Sequence, residues 1–184
     1  MQKLINSKHP IFEKSLLYPF FLSNIWHECE YEFNIALEKI EIISSYISNL
    51  DETSLFIAVL FLSGRVFPAG SNLTLNIGFA AIMQSLSEIA MLDSKDIQNI
   101  HLKHGDIGAM AEYAVSKKHI ISLFNQQEKI SLSYVYHQFK KIANISGSGS
   151  NKNKKNILKG LLIACSPLES KYLIKIITGE MRIG

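Results

Sequence analysis

The residues best suited to chemistry in this chain run from Gly147 to Lys155, in the order Gly-Ser-Gly-Ser-Asn-Lys-Asn-Lys-Lys. The chemistry they suit is anion binding. Two glycines let a backbone take positive φ and come close to a ligand. Their N–H groups, with the hydroxyls of Ser148 and Ser150, can point at a phosphate. The spacing predicts a helix opening at about Ser150 to Asn153, whose first N–H groups have no partner inside the helix and face the same loop. Lys152, Lys154 and Lys155 fall at that helix start. It is the positive end of the helix dipole, where each surface cation costs about 0.3–1 kcal/mol. An anion seated among them explains several lysines in that position. On these residues alone a basic glycine-serine linker stays open as the alternative. The segment is not a P-loop, because the GxxxxGK[ST] order is absent and no buried strand run precedes it.

Catalysis has no comparable footing. The six histidines (His9, His27, His101, His104, His119 and His137) are scattered along the chain. No nucleophile–base pairing and no carboxylate pair within one loop rises above chance. Cys29 and Cys165 form neither a disulfide framework nor a zinc spacing, and His27-Glu28-Cys29 lacks the further ligands a metal site needs. Such cysteine usage fits a reducing, intracellular setting. The longest apolar stretch, Leu55 to Leu62, is far shorter than the ~20 residues that cross a bilayer. Leu16 to Trp26 contains Pro19 and no small-residue cleavage site, so it is not read as a signal peptide. The expectation is a chain with no cofactor of its own and no membrane.

Around the loop, hydrophobic periodicity predicts helices nearly throughout. Leu132, Val135, Phe139, Ile142 and Ala143 share one face before it; Ile157, Leu158, Leu161, Leu162 and Cys165 share one after it. Upstream, Phe33, Leu37, Ile40, Ile43, Ile47 and Leu50 mark a helix over Glu30 to Leu50. Asp51 caps the next, which reaches Ser63 and stops at Gly64. Pro68 and Gly70 mark a turn, and a helix with Phe79, Ile82, Leu86 and Ile89 inward follows to Ala90. Asp93 caps a helix to His104. Gly105 ends it, and Asp106 caps another over Ile107 to Val115. Ser131 caps the helix to Ile145. Ser166-Pro167-Leu168-Glu169 is a capping box with proline at N1. It opens a last helix with Leu168, Tyr172, Leu173, Ile176 and Ile177 inward, Lys171 and Lys175 on another face, and Gly179 as its stop. The expected fold is all-α, a compact multi-helix domain over residues 30–184 behind an extension at 1–29.

Charge is unevenly spread over the 184 residues. Residues 1–138 hold 10 Lys and Arg against 14 Asp and Glu, net −4; residues 139–184 hold 9 against 2, net +7. A basic end on an otherwise acidic domain is an electrostatic footprint for a polyanion.

The last third also resembles a known family. It carries Gly147-Ser148-Gly149-Ser150, Lys154-Lys155, Leu158-Lys159-Gly160-Leu161-Leu162, Glu169-x-Lys171-Tyr172-Leu173 and a final Gly179-Glu180-Met181-Arg182-Ile183-Gly184. Upstream stand Leu75-Asn76-Ile77-Gly78 and Gly105-Asp106-Ile107-Gly108 with Ala111-Glu112. Together these resemble the N-terminal DNA-binding domain of ATP-dependent DNA ligases. The resemblance implies an all-helical domain that grips nicked duplex DNA across the minor groove while linked adenylation and OB domains close around it. It implies ATP and Mg²⁺ as cofactors of that parent enzyme. It also implies roles in DNA replication, repair and recombination, an intracellular place (cytoplasmic with the nucleoid, or nuclear) and a monomer. The K-x-D-G motif of the adenylated lysine does not occur here, so this chain alone is expected not to ligate. As DNA contacts the resemblance implies Gly147–Ser150, Lys154, Lys155, Lys159, Gly179 and Arg182; the charge argument adds Lys152, with Arg65, Lys171 and Lys175 as a second tier, the next candidates if the loop does not bind. Replacing Lys154 and Lys155 together is expected to weaken binding and leave the fold as stable as before. Two further readings are a free-standing, sequence-nonspecific DNA-binding protein and a helical protein-interaction scaffold.

Overall fold

A computed structural model describes residues 36–118 and 130–181. Among them there are eight helices and no strand: α1 (Ala36–Ile47), α2 (Glu52–Leu62), α3 (Phe79–Ala90), α4 (Ser94–His104), α5 (Ile107–Ser116), α6 (Leu132–Asn144), α7 (Ser150–Ala164) and α8 (Pro167–Thr178). The all-α expectation holds. None of the described helices is long and apolar enough to cross a membrane. The parts of the reading that fall on residues 1–35, 119–129 and 182–184, including Cys29 and Arg182, lie outside the described residues.

The helix ends follow local chemistry. Asp51 accepts from the Ser54 N–H at 3.0 Å, Asp93 from Asp96 at 2.8 Å, and Ser131 from Tyr134 at 3.1 Å. At α8 the capping box closes both ways: Ser166 N–H donates to Glu169 Oε2 at 2.7 Å, and Glu169 N–H to Ser166 Oγ at 3.3 Å. Helices α2 and α8 end alike. In α2, Gly64 N–H reaches the Phe61 carbonyl and Arg65 N–H the Leu60 carbonyl, at 2.9 and 3.0 Å. In α8, Gly179 reaches Ile176 at 3.3 Å and Glu180 reaches Lys175 at 2.9 Å. Both are Schellman endings, which need a left-handed residue. Gly64 has φ 70° and Gly179 φ 72°. Gly64→Ala is expected to cost about 1–2 kcal/mol, the ordinary penalty for a Cβ in this region. That lowers Tm by roughly 2–8 °C for a chain of this size, and thermal melting followed by circular dichroism checks it.

The helices pack as a continuous set around one core: α2 on α6, α6 on α7, α7 on α3, α3 and α4 on each other, and both on α5. Helix α5 lies closely along α8. Phe61, Phe139, Ile57, Ile82, Leu86, Met110 and Tyr172 are among the largest side chains sealed in it. Phe61 and Phe139 meet edge to face at 5.7 Å between centroids, a favoured aromatic geometry.

Three parts of the predicted facing are corrected. Ile40 and Phe79, read as inward, are exposed, while Tyr46, not counted on the face of α1, is buried. Phe79 is the first residue of α3, and neighbouring helices cover only part of each apolar stripe. The larger correction concerns α8. From Ser170 to Ile176 every residue is buried, Lys171 and Lys175 included. This helix is an axis of the fold rather than an amphipathic surface helix, so it has no free face on which two lysines could stand.

Candidate nucleic-acid interface

The Gly-Ser turn is where the sequence places it. Residues 146–149 are exposed between α6 and α7. Gly147 and Gly149 have φ of 85° and 78°, so both need to be glycine for unstrained geometry. Gly149 is the N-cap of α7 and gives no side-chain cap. Ser150 N–H turns back to the Gly147 carbonyl at 3.3 Å and Asn153 N–H to Gly149 at 3.2 Å. Ser148, Asn151 and Lys152 are exposed beside this helix start, and Ser150 is half-buried. An open N-terminus flanked by hydroxyls and a cation has the chemistry to accept an anion.

The lysines divide. Lys154 is buried at 7% exposure, and its Nζ donates to the Leu75 carbonyl at 2.9 Å. It is therefore corrected from a phosphate contact to a structural lysine that ties α7 to the segment before α3. The signal was in the spacing. Lys154 stands one turn before Leu158 on the stripe that continues to Leu161, Leu162 and Cys165, so it points inward with them. Lys155 and Lys159 stay at the surface but are engaged. Their Nζ atoms lie 2.8 and 2.9 Å from Oε1 and Oε2 of Glu88 on α3. The hydrogen bond from Lys155, then that from Lys159, holds the Glu88 carboxyl below its ordinary range. Sequence reasoning did not find Glu88, which lies 67 residues upstream of Lys155 and belongs to no motif.

The second-tier lysines are corrected too. Lys175 Nζ lies 3.1 Å from Asp106 Oδ2, and both Lys171 and Lys175 lean on the Tyr172 ring, at 5.3 and 5.8 Å from its centroid. Asp106 has two tasks. Its Oδ1 caps α5 through Gly108 and Ala109 N–H at 2.6 and 3.4 Å, while Oδ2 meets Lys175. Gly108 makes the approach possible, because a Cβ there would stand 2.9 Å from Lys175 Cγ and 3.0 Å from the Lys171 carbonyl. The Gly-Asp-Ile-Gly segment is thus the clasp between α5 and α8. Arg65 remains exposed. Its neighbour Gly64 faces Met181, 3.5 Å from where a Cβ would start, so α2 ends against the turn that follows Gly179. That turn leads to Arg182.

Lys118 closes the far end of α7, its Nζ donating to the Ile163 and Cys165 carbonyls at 3.1 and 3.0 Å. This is a favourable cation at a helix C-terminus. Cys165 is sealed beside it, and burial pushes its thiol up, so it is an inert packing group. Among the described residues no three His, Cys, Asp or Glu side chains gather as a metal site.

The described residues form an all-helical domain with an exposed glycine-serine turn beside Lys152. Comparison with known proteins narrows the class. The family described as DNA ligase N terminus matches residues 19–184, and this chain belongs to it. Similar proteins include a DNA ligase of Archaeoglobus fulgidus, 32% identical over 83% of this chain and 29% of its own length. A DNA ligase of Methanothermobacter thermautotrophicus is 30% identical over 93% of this chain and 30% of its own. DNA ligase 2 of Haloquadratum walsbyi is 35% identical over 74% and 23%. The chain thus spans less than a third of the length of these relatives.

Proposed function

We propose that this chain is the DNA-binding domain of an ATP-dependent DNA ligase, holding nicked duplex while linked adenylation and OB domains seal it. The observation that carries this reading is the open, glycine-lined start of α7, with Lys152 beside it, in a member of the DNA ligase N-terminal family. The backbone N–H groups and hydroxyls of Gly147–Ser150, with Lys152, meet phosphates. Lys155 and Lys159 add charge one turn and two turns further along α7. Gly179 and Arg182 meet the minor groove, with Arg65 beside that turn. Such contacts fix position without reading sequence.

ATP and Mg²⁺ belong to the rest of the proposed parent. The described residues offer no donor set for the metal, and no K-x-D-G lysine is present to carry AMP. The parent works inside the cell in replication, repair and recombination, and this domain acts as a monomer.

Fluorescence anisotropy with a nicked duplex and the matching intact duplex tests the reading. Both are expected to bind, the nicked one at least as tightly, with log K falling as log salt rises by about 0.9 per phosphate neutralised. With ATP and Mg²⁺ the chain alone is expected neither to take up AMP covalently nor to seal the nick. No binding at about 50 mM salt, or a covalent AMP adduct, overturns the proposal.

A further inference from the structure

We propose that Glu88 is a built-in competitor for DNA phosphate: it occupies Lys155 and Lys159 in the free protein and gives them up when duplex binds. The inference deepens the DNA-binding reading and rests on it. Two lysines one turn apart on α7 converge on one carboxylate, one ammonium to each oxygen, at 2.8 and 2.9 Å. A phosphodiester presents the same feature, two anionic oxygens on one centre. The lysine pair is therefore already arranged for a two-oxygen anion.

The carboxylate stands at the surface. The side chains of Lys155, Lys159 and Glu88 are 17%, 33% and 35% exposed, so solvent and ligand reach the cluster. Exposed ion pairs are individually weak. A polyanion can displace one, because each lysine transferred to DNA releases condensed counterions and a lone carboxylate releases none. Lys154 cannot take part, since it is buried on the Leu75 carbonyl. Packing of α3 on α7 keeps the competitor in reach. With Glu88 in place the cluster carries net +1; with both lysines on phosphate it contributes two cations to the interface. Glu88 thereby lowers affinity for duplex and opposes indiscriminate retention on DNA.

A double-mutant cycle separates this exchange from simple charge repulsion. The proteins are the wild-type chain, Glu88→Gln, Lys155→Ala/Lys159→Ala and the triple variant, each titrated with the same fluorescein-labelled nicked duplex. Glu88→Gln is expected to bind about two- to thirtyfold tighter, the range that two exposed pairs can withhold. Removing both lysines is expected to cost more, by a similar factor, in the Glu88→Gln background than in wild type. If Glu88 acts only through its charge at a distance, the lysines cost the same in both backgrounds, and the proposal falls. Weaker binding by Glu88→Gln would also overturn it, because the carboxylate would then be holding the lysines ready. Wild-type binding without coupling removes only this inference. Absence of wild-type binding removes the DNA-binding reading as well.

Discussion

Asp106→Ala is expected to destabilise the domain by about 2–4 kcal/mol, more than any surface change proposed here. Two losses add. The α5 cap goes, since Asp106 Oδ1 holds the Gly108 and Ala109 N–H groups; cap removal alone costs about 0.5–2 kcal/mol. The carboxylate 3.1 Å from Lys175 goes with it. Lys175 is only 4% exposed, so the ion pair it loses with Asp106 is largely shielded from solvent. Removing one member of a fully buried pair costs about 3–5 kcal/mol. Asp106 is itself a third exposed, which places this case below that range. Asn is an equally good cap, so Asp106→Asn keeps the first contribution and loses the second. Urea denaturation of both variants separates the two. If Ala and Asn are equally mild, within about 0.5 kcal/mol of wild type, the clasp between α5 and α8 is not held by this pair.

Lys154→Ala is expected to cost about 1–3 kcal/mol, because the buried Leu75 carbonyl loses its donor. The direction is opposite to what the helix-start position of Lys154 implies. A cation removed from the positive end of a dipole should leave the helix as stable or slightly more so. That behaviour is expected instead of Lys152→Ala, where the side chain is exposed. The two variants should therefore separate cleanly. Lys154→Ala lowers Tm by roughly 2–12 °C and, measured well below that Tm, changes the salt slope of DNA binding little. Lys152→Ala leaves Tm undiminished and flattens the slope by about 0.9. Equal slopes and melting temperatures for both variants would return Lys154 to the surface site and take it out of the fold.

These contrasts mark how far local reading reached. Most helix ends were legible because a cap is a local arrangement: Asp51, Asp93, Asp106, Ser131 and the Ser166–Glu169 box each satisfy N–H groups within three residues. The Gly147–Ser150 turn and the helix start after it were legible for the same reason. The family resemblance rests on the same short motifs, and the family match extends over residues 19–184. What each lysine does was not legible. Lys154, Lys155, Lys159, Lys171 and Lys175 are alike as residue types, and charge counting put them all in one basic end of the chain.

The sequence by itself determined the all-helical class, most helix borders, the glycine stops at Gly64 and Gly179 and the glycine turn, since all of these are settled by neighbours along the chain. Only the tertiary structure decided that α8 is surrounded, that Lys175 meets Asp106 from 69 residues away, and that Glu88 reaches across to Lys155 and Lys159. A lysine's role depends on which carbonyl or carboxylate the packing of other helices brings within about 3 Å of its Nζ. Its flexible stem lets it serve either a buried partner or the solvent, and no local pattern distinguishes the two.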